Sequence, residues 1–106
     1  MIKDICLDSL DEDIFNKDKL VLLMFYAHWY KPSMETLSCL KQIDVKDIDI
    51  YKVDYNKYRD LSKGFEVVSI PTIVFLKKGR ELSRYSGTQT IKQLNIIIDK
   101  IKEVPI

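Results

Sequence analysis

Cysteine and histidine are scarce in this sequence. Its 106 residues include two cysteines, Cys6 and Cys39, and one histidine, His28. In a cytosolic protein, such cysteines are ordinarily reduced and serve as small, largely apolar side chains, and we expect this of both. The composition leaves room for at most one disulfide, and we predict neither a metal site nor a cofactor.

An excess of charge of one sign and long apolar runs are also absent. Lysine and arginine number 17 against 16 aspartate and glutamate, which gives a formal net charge of +1. No basic cluster is interleaved with aromatic residues, so we predict no nucleic-acid partner. The apolar runs are too short to cross a bilayer, and the first six residues lack the apolar stretch of a signal peptide. We therefore expect a cytoplasmic protein without a membrane partner.

The composition that is present suits one compact core. Hydrophobic residues make up 46% of the chain and charged residues 31%, which is enough for both a buried interior and a soluble surface. A length of 106 residues is typical of one domain and too short for two. We predict a single domain that covers residues 1–106.

Apolar patterning predicts strands and helices that alternate along the chain. Strands are expected at residues 2–7, 20–27, 48–53, 73–76 and 81–86, and helices at 34–43, 56–65 and 90–104. Ser9 and Glu12 have the spacing of a capping box, which predicts one more short helix. Gly64 is expected to end the helix at 56–65.

The last predicted helix has an apolar stripe that is suited to packing on a sheet. The stripe consists of Ile91, Leu94, Ile97, Ile98 and Ile101.

The segment Trp29-Tyr30-Lys31-Pro32-Ser33 follows the apolar strand at 20–27 and precedes a helix. This arrangement resembles the active-site segment of thioredoxins, Trp-Cys-Gly-Pro-Cys. In that comparison Tyr30 and Ser33 occupy the two cysteine positions, and Lys31 replaces the glycine. The scaffold is kept, but the pair of thiols is absent.

A second segment, Ile70-Pro71-Thr72, is similar to the thioredoxin Ile-Pro-Thr loop, whose proline is cis and lies beside the active site. A hairpin and Gly87 follow it, as in the family. The resemblance covers nearly the whole chain. It implies an α/β thioredoxin fold, with a central mixed β-sheet flanked by helices on both faces.

The substitutions remove the chemistry of thiol–disulfide exchange, which needs one thiolate to attack and a second thiol to resolve the mixed disulfide. A tyrosine hydroxyl with a reference pKa of about 10 does not replace the attacking thiolate. Met24 stands where the family usually has a buried aspartate, and Lys52 matches the lysine that accompanies that aspartate. We therefore predict a site at Tyr30 and Ser33 that is degenerate, with no catalytic residue.

The family resemblance implies a binding surface at this degenerate site, since thioredoxins hold an extended peptide against the backbone before the cis-proline. We predict that a protein or peptide partner, or a second copy of the chain, binds there. The residues expected to form this surface are Trp29, Tyr30, Lys31, Pro32, Ser69, Ile70 and Pro71. The alternative for this surface is that Trp29 packs under the turn and Ile70 on the core, with no ligand.

Two other functions remain open at this stage. A thiol-dependent redox protein that uses Cys39 alone requires that thiol to be exposed and to have a lowered pKa. A hydrolase requires His28 as base and Ser33 as nucleophile, but the sequence identifies neither an oxyanion site nor an acid to orient the histidine. We favour a redox-inactive binding or adaptor module.

Overall fold

The computed structural model describes residues 2–10, 14–16 and 18–104. The strands are β1 (Ile2–Asp4), β2 (Leu20–Tyr26), β3 (Ile48–Asp54), β4 (Thr72–Lys77) and β5 (Arg80–Ser86). The α-helices are α1 (Lys31–Lys41), α2 (Arg59–Gly64) and α3 (Ile91–Lys102). A 3₁₀ turn covers Leu7–Ser9. Within the described ranges, no helix has the length and apolar character needed to cross a membrane.

The described strands form a five-stranded sheet in the order β1-β3-β2-β4-β5. Strands β1, β3 and β2 are parallel to one another, whereas β4 runs antiparallel to both β2 and β5. The predicted mixed sheet is therefore confirmed. Parallel strands need crossover connections. The segment that contains the 3₁₀ turn connects β1 to β2, and α1 lies in the connection from β2 to β3, whereas a tight turn joins β4 to β5.

Strand β2 separates two hydrophobic cores because its side chains alternate between the faces of the sheet. Leu22 and Met24 point into the core that α1 and α3 cover. Val21, Leu23 and Phe25 point into the core on the opposite face, which the α2 region covers. The strand is buried on both faces, as its continuous apolar sequence predicted.

Helix α3 is stabilised by its stripe and by its cap. Four of the five predicted stripe residues are buried, whereas Ile91, the first residue of the helix, is 37% exposed. The Thr90 hydroxyl accepts the Gln93 N–H, and the Gln93 side chain accepts the Thr90 N–H. This reciprocal capping box fixes where α3 begins.

Helix α1 begins earlier than its pattern predicted, at Lys31 instead of residue 34. Pro32 explains this start, because proline has a backbone angle suited to the first turn of a helix and its missing N–H would have no partner there. The predicted strand at 2–7 is confirmed only for its first half. The capping box predicted from Ser9 to Glu12 requires Glu12, which lies outside the described residues.

Helix α2 ends at Gly64, as predicted, but a different residue reverses the chain after it. The backbone of Glu66, not of Gly64, adopts the left-handed conformation, with φ of 55°. The Val67 N–H donates to the Ser62 carbonyl, and the Glu66 N–H donates to the Lys63 carbonyl, both at 2.9 Å. This is a Schellman motif, in which glycine is the preferred residue at the left-handed position. A residue with a side chain is sterically strained in this conformation, so Glu66 makes the folded state less stable than glycine would at the same position.

The backbone angles of Glu66 generate a prediction about stability. Glu66→Gly should raise the free energy of unfolding by about 0.5–1 kcal/mol, because glycine adopts positive φ without a steric penalty. Gly79→Ala should lower it, because Gly79 has φ of 75° and an added Cβ would lie 2.9 Å from the Phe15 carbonyl oxygen. Urea unfolding of both variants checks these opposite signs, and a loss of stability in Glu66→Gly would contradict the assignment of the Schellman motif.

Candidate functional site

The degenerate site lies where the carboxyl end of β2 meets the start of β4. Strand β2 ends at Tyr26, the chain turns through residues 27–30, and α1 begins at Lys31. Thr72 pairs with Phe25 in the antiparallel register, so the residues just before Thr72 lie beside those just after Phe25. The Ile70–Pro71 peptide bond at this junction is cis. The register thus places segment 69–71 next to the turn that bears Trp29 and Tyr30.

Ser33, at the second cysteine position, is a buried structural group. Its side chain is 0% exposed. The hydroxyl oxygen accepts the Ala27 N–H at 3.1 Å and lies 2.9 Å from the Ala27 carbonyl and 2.8 Å from the Tyr30 carbonyl. A hydroxyl has one proton, so it donates to one of these carbonyls at a time. Ser33 therefore ties the turn to the first turn of α1.

This geometry argues against the hydrolase hypothesis. His28 has a side chain that is 68% exposed, and its Nε2 lies 3.6 Å from Asp54 Oδ2. Ser33 is hydrogen-bonded to the backbone of its own turn, and within the described ranges it makes no hydrogen bond to His28. A nucleophile has to reach a substrate, and a fully buried serine does not.

Trp29 and Tyr30 are turned toward solvent. Trp29 is 68% exposed and Tyr30 is 39% exposed, and their ring centroids lie 5.8 Å apart. Trp29 therefore does not pack under the turn, although the other part of that alternative is confirmed, since Ile70 packs against the core. Two adjacent aromatic rings on the surface form an apolar patch, and Lys31, which follows them, is also exposed.

The segment before the cis-proline carries another exposed apolar side chain. Val68 is 91% exposed, whereas Ile70 is half-buried against the core. The Ser69 carbonyl accepts the Thr72 hydroxyl at 2.7 Å. Over the described part of the chain, neither the N–H nor the C=O of Ile70 has a hydrogen-bond partner. Sequence reasoning identified Ser69, Ile70 and Pro71 but missed Val68, since two successive valines do not indicate which of them is exposed.

Arg84 of β5 fixes the beginning of this segment. Its guanidinium donates to the Phe65 carbonyl at 2.7 Å and to the Glu66 carbonyl at 3.3 Å. The same guanidinium donates two hydrogen bonds to the Glu81 carboxylate in a bidentate arrangement, at 2.8 and 2.7 Å. These hydrogen bonds hold the pKa of the Glu81 carboxyl below its usual range. The left-handed junction at Glu66 is thereby attached to the sheet.

Met24 and its neighbour Lys52 make their contacts without a buried acid. Met24 is fully buried and is the register partner of Lys52 on β3. In place of a buried carboxylate, the Lys52 ammonium pairs with Asp4, at 3.5 Å, and lies 6.0 Å from the centre of the Tyr26 ring. No carboxylate therefore stands at position 24 to exchange a proton with the group at position 33.

Both cysteines are free thiols. Cys39 lies in the third turn of α1, half-buried against the core that α1 and α3 share, and Cys6 is exposed. A thiolate gains most from a helix dipole in the first turn, which Cys39 does not occupy.

Comparisons with known proteins agree with this geometry. The thioredoxin family model matches residues 2–100. The chain is 34% identical to thioredoxin-1 of Drosophila yakuba over 88 residues, which are 80% of this chain and 82% of that protein. It is 32% identical to the chloroplastic thioredoxin Y1 of Arabidopsis thaliana over 92% of this chain and 59% of that protein.

A solved structure gives the same result for the fold. The crystal structure of the Malassezia sympodialis thioredoxin superposes with a TM-score of 0.84, covering 94% of this chain and 90% of that chain at 23% identity. The sheet order, the cis-proline and the helix after the turn define the chain as a protein with the thioredoxin fold. The match to the family model, over nearly the full length, places it in the thioredoxin family.

The hydrogen bonds of Ser33 generate a prediction about the free energy of unfolding. Ser33→Ala should lower the free energy of unfolding by about 1–3 kcal/mol, because it leaves the buried Ala27 N–H without an acceptor. Ser38→Ala is the matched control in the same helix, since Ser38 is exposed, and it should change stability by less than about 0.5 kcal/mol. Equal stability of the two variants in urea would contradict the structural role of Ser33.

Proposed function

We propose that this thioredoxin-family protein does not catalyse thiol–disulfide exchange and instead binds an extended segment of a partner protein. The observation that carries the proposal is the composition of the site, with Tyr30 and a buried, backbone-bonded Ser33 at the two cysteine positions. A reaction that passes through a mixed disulfide has no attacking sulfur in this turn.

The binding half of the proposal is supported by the surface that surrounds the turn. Trp29 and Val68 expose most of their surface, and Tyr30 is partly exposed beside Trp29, so apolar area is available for a partner to cover. The unpaired N–H and C=O of Ile70 can pair with one residue of an extended peptide, as in strand addition. Aromatic anchors beside a free backbone edge are a typical combination in peptide recognition.

The partner that fits this surface is a peptide segment in extended conformation with an apolar side chain next to its paired residue. Backbone pairing at Ile70 fixes the direction in which the peptide runs, and Trp29 contacts the apolar side chain of the peptide. A second copy of the chain is the alternative occupant, and concentration-dependent association distinguishes it from a foreign peptide. We place this function in the cytoplasm, as the sequence led us to expect.

A redox function through Cys39 alone is the second candidate. The half-burial of Cys39 and its position deep in α1 argue against it, because a reactive thiol needs access and a stabilised thiolate. Thiol labelling of the native protein separates the two candidates. Slow labelling of Cys39, at the rate of an ordinary protected thiol, supports the binding module, and fast labelling with a depressed pKa supports the redox protein.

The first functional prediction concerns catalysis. In insulin reduction with dithiothreitol, the protein should leave the uncatalysed rate unchanged. The double variant Tyr30→Cys/Ser33→Cys should form a reducible disulfide, because α1 begins at the same turn as in the family. Position 30 lies just before α1, and position 33 lies in its first turn. The Ser33→Cys single variant is the control, since one thiol does not complete the cycle. Turnover by the wild-type protein would refute the loss of redox function.

The second functional prediction concerns the surface. Tyr30→Ala and Ile70→Asp should each reduce retention of the captured partner from a lysate of the source cell by about tenfold, as truncation of an interface anchor does. Ile96→Asp is the matched control, because Ile96 is 51% exposed on α3 and is not part of the proposed surface. Retention that falls equally in all three variants, or in none, would contradict this location of the binding surface.

A further inference from the structure

A polar cavity of about 370 Å³ opens at the carboxyl ends of the three parallel strands. The last residues of β1, β3 and β2 are Asp4, Asp54 and Tyr26, and all three line it. In open α/β sheets, ligands bind in the crevice outside the carboxyl ends of the strands. The proposed peptide surface does not use this cavity, although His28 stands between the two.

The most informative group in the cavity is the hydroxyl of Tyr26. The residue is 4% exposed, so 96% of its surface is buried. Its ring contacts the edge of the His28 imidazole, with centroids 5.2 Å apart. Among the described residues, the Tyr26 hydroxyl makes no hydrogen bond, and it is not sealed from solvent. This hydroxyl is therefore available to a ligand or to water in the cavity.

The acceptors around the cavity are already engaged. Asp54 Oδ1 accepts the backbone N–H groups of Asn56 and Lys57, at 3.0 and 3.2 Å. Asp54 Oδ2 faces His28. Asp4 pairs with Lys52 from the outer rim, where its side chain is 78% exposed. The carboxylates therefore serve the protein's own donors.

The groups that remain free are donors. A phenol is protonated at neutral pH, and burial and then the carboxylates of Asp54 and Asp4 raise the pKa of the Tyr26 phenol further. The Lys57 ammonium lies 5.3 Å from the centre of the Tyr58 ring and has no carboxylate partner within the described ranges. Lys52 pairs with the exposed Asp4, and no other carboxylate forms an ion pair with it within the described ranges.

We propose that this cavity binds a small anion through carboxylate or phosphate oxygens, with the Tyr26 hydroxyl and the ammonium groups of Lys52 and Lys57 as donors. The hydroxyl and the two ammonium groups donate hydrogen bonds, and the lysines supply positive charge against both the anion and the carboxylates of Asp4 and Asp54, which line the same cavity. Asp4 competes with the anion for Lys52. The site does not depend on the proposed peptide surface, so either proposal can fail alone.

Titration by NMR tests the site with acetate and inorganic phosphate as separate probes, at neutral pH and at constant ionic strength maintained with chloride. The Tyr26 ring signals should shift and saturate with at least one probe. If only acetate saturates, the site is a carboxylate site, and if only phosphate does, it is a phosphate site. If acetate and phosphate both give only the shifts that the same concentration of chloride gives, the proposal is overturned.

Variants make the test specific. Tyr26→Phe and Lys57→Gln should each weaken binding of the saturating probe by roughly two- to tenfold, the effect of one hydrogen bond or charge. Asp4→Asn should strengthen binding, because it frees Lys52, whereas a site for cations would be weakened by the same change. Lys92→Gln, an exposed lysine on α3, controls for net charge and should have no effect.

The folding of these variants is checked separately. Tyr26→Phe should keep the urea midpoint of the wild type, because the hydroxyl it removes has no partner in the protein. Unchanged affinity in Tyr26→Phe, with stability intact, would overturn the proposal. Weaker binding in Asp4→Asn would do so as well.

Discussion

The burial of β2 on both faces is the constraint on which the rest of the structure depends. The strand pairs with β3 along its whole length and with β4 along most of it, and six of its seven residues are buried. With both edges and both faces occupied, its register has no freedom to slip. Where β2 stops, the turn 27–30 begins on one side of Tyr26 and the polar cavity opens on the other. Both proposed sites are therefore positioned by this strand.

The loss of the thiols has not loosened the turn that held them. The Ser33 hydroxyl makes a compact set of backbone contacts at the second cysteine position, and these hold the turn against the first residues of α1. A sulfur atom is larger and a weaker hydrogen-bonding group, so serine at this buried position favours a fixed turn over a reactive one. The turn that bears Trp29 and Tyr30 is accordingly pre-organised, and this would lower the entropic cost of the binding proposed above.

The sequence predicted the sheet, the helices and the place of the degenerate site because these features depend on local patterns. The apolar run of β2, the turn with Pro32 and the stripe of α3 can each be recognised within about a dozen residues. The left-handed conformation of Glu66 could not be predicted in this way, since Gly64 is two residues away and is the usual choice. Arg84 from β5 reaches the carbonyls beside Glu66, and such a contact depends on residues distant in the sequence.

The cavity at Tyr26 was beyond sequence reasoning for a similar reason. Its lining comes from the ends of strands that are separated by more than 20 residues, and only the parallel pairing brings them together. Met24 stands where the family usually has a buried acid, and it is the register partner of Lys52, which lines this cavity. Without that acid, Lys52 turns to a solvent-exposed partner at the rim, where it is weakly neutralised. A change that removes a proton acceptor from the interior thus leaves a positive charge available at the carboxyl ends of the strands.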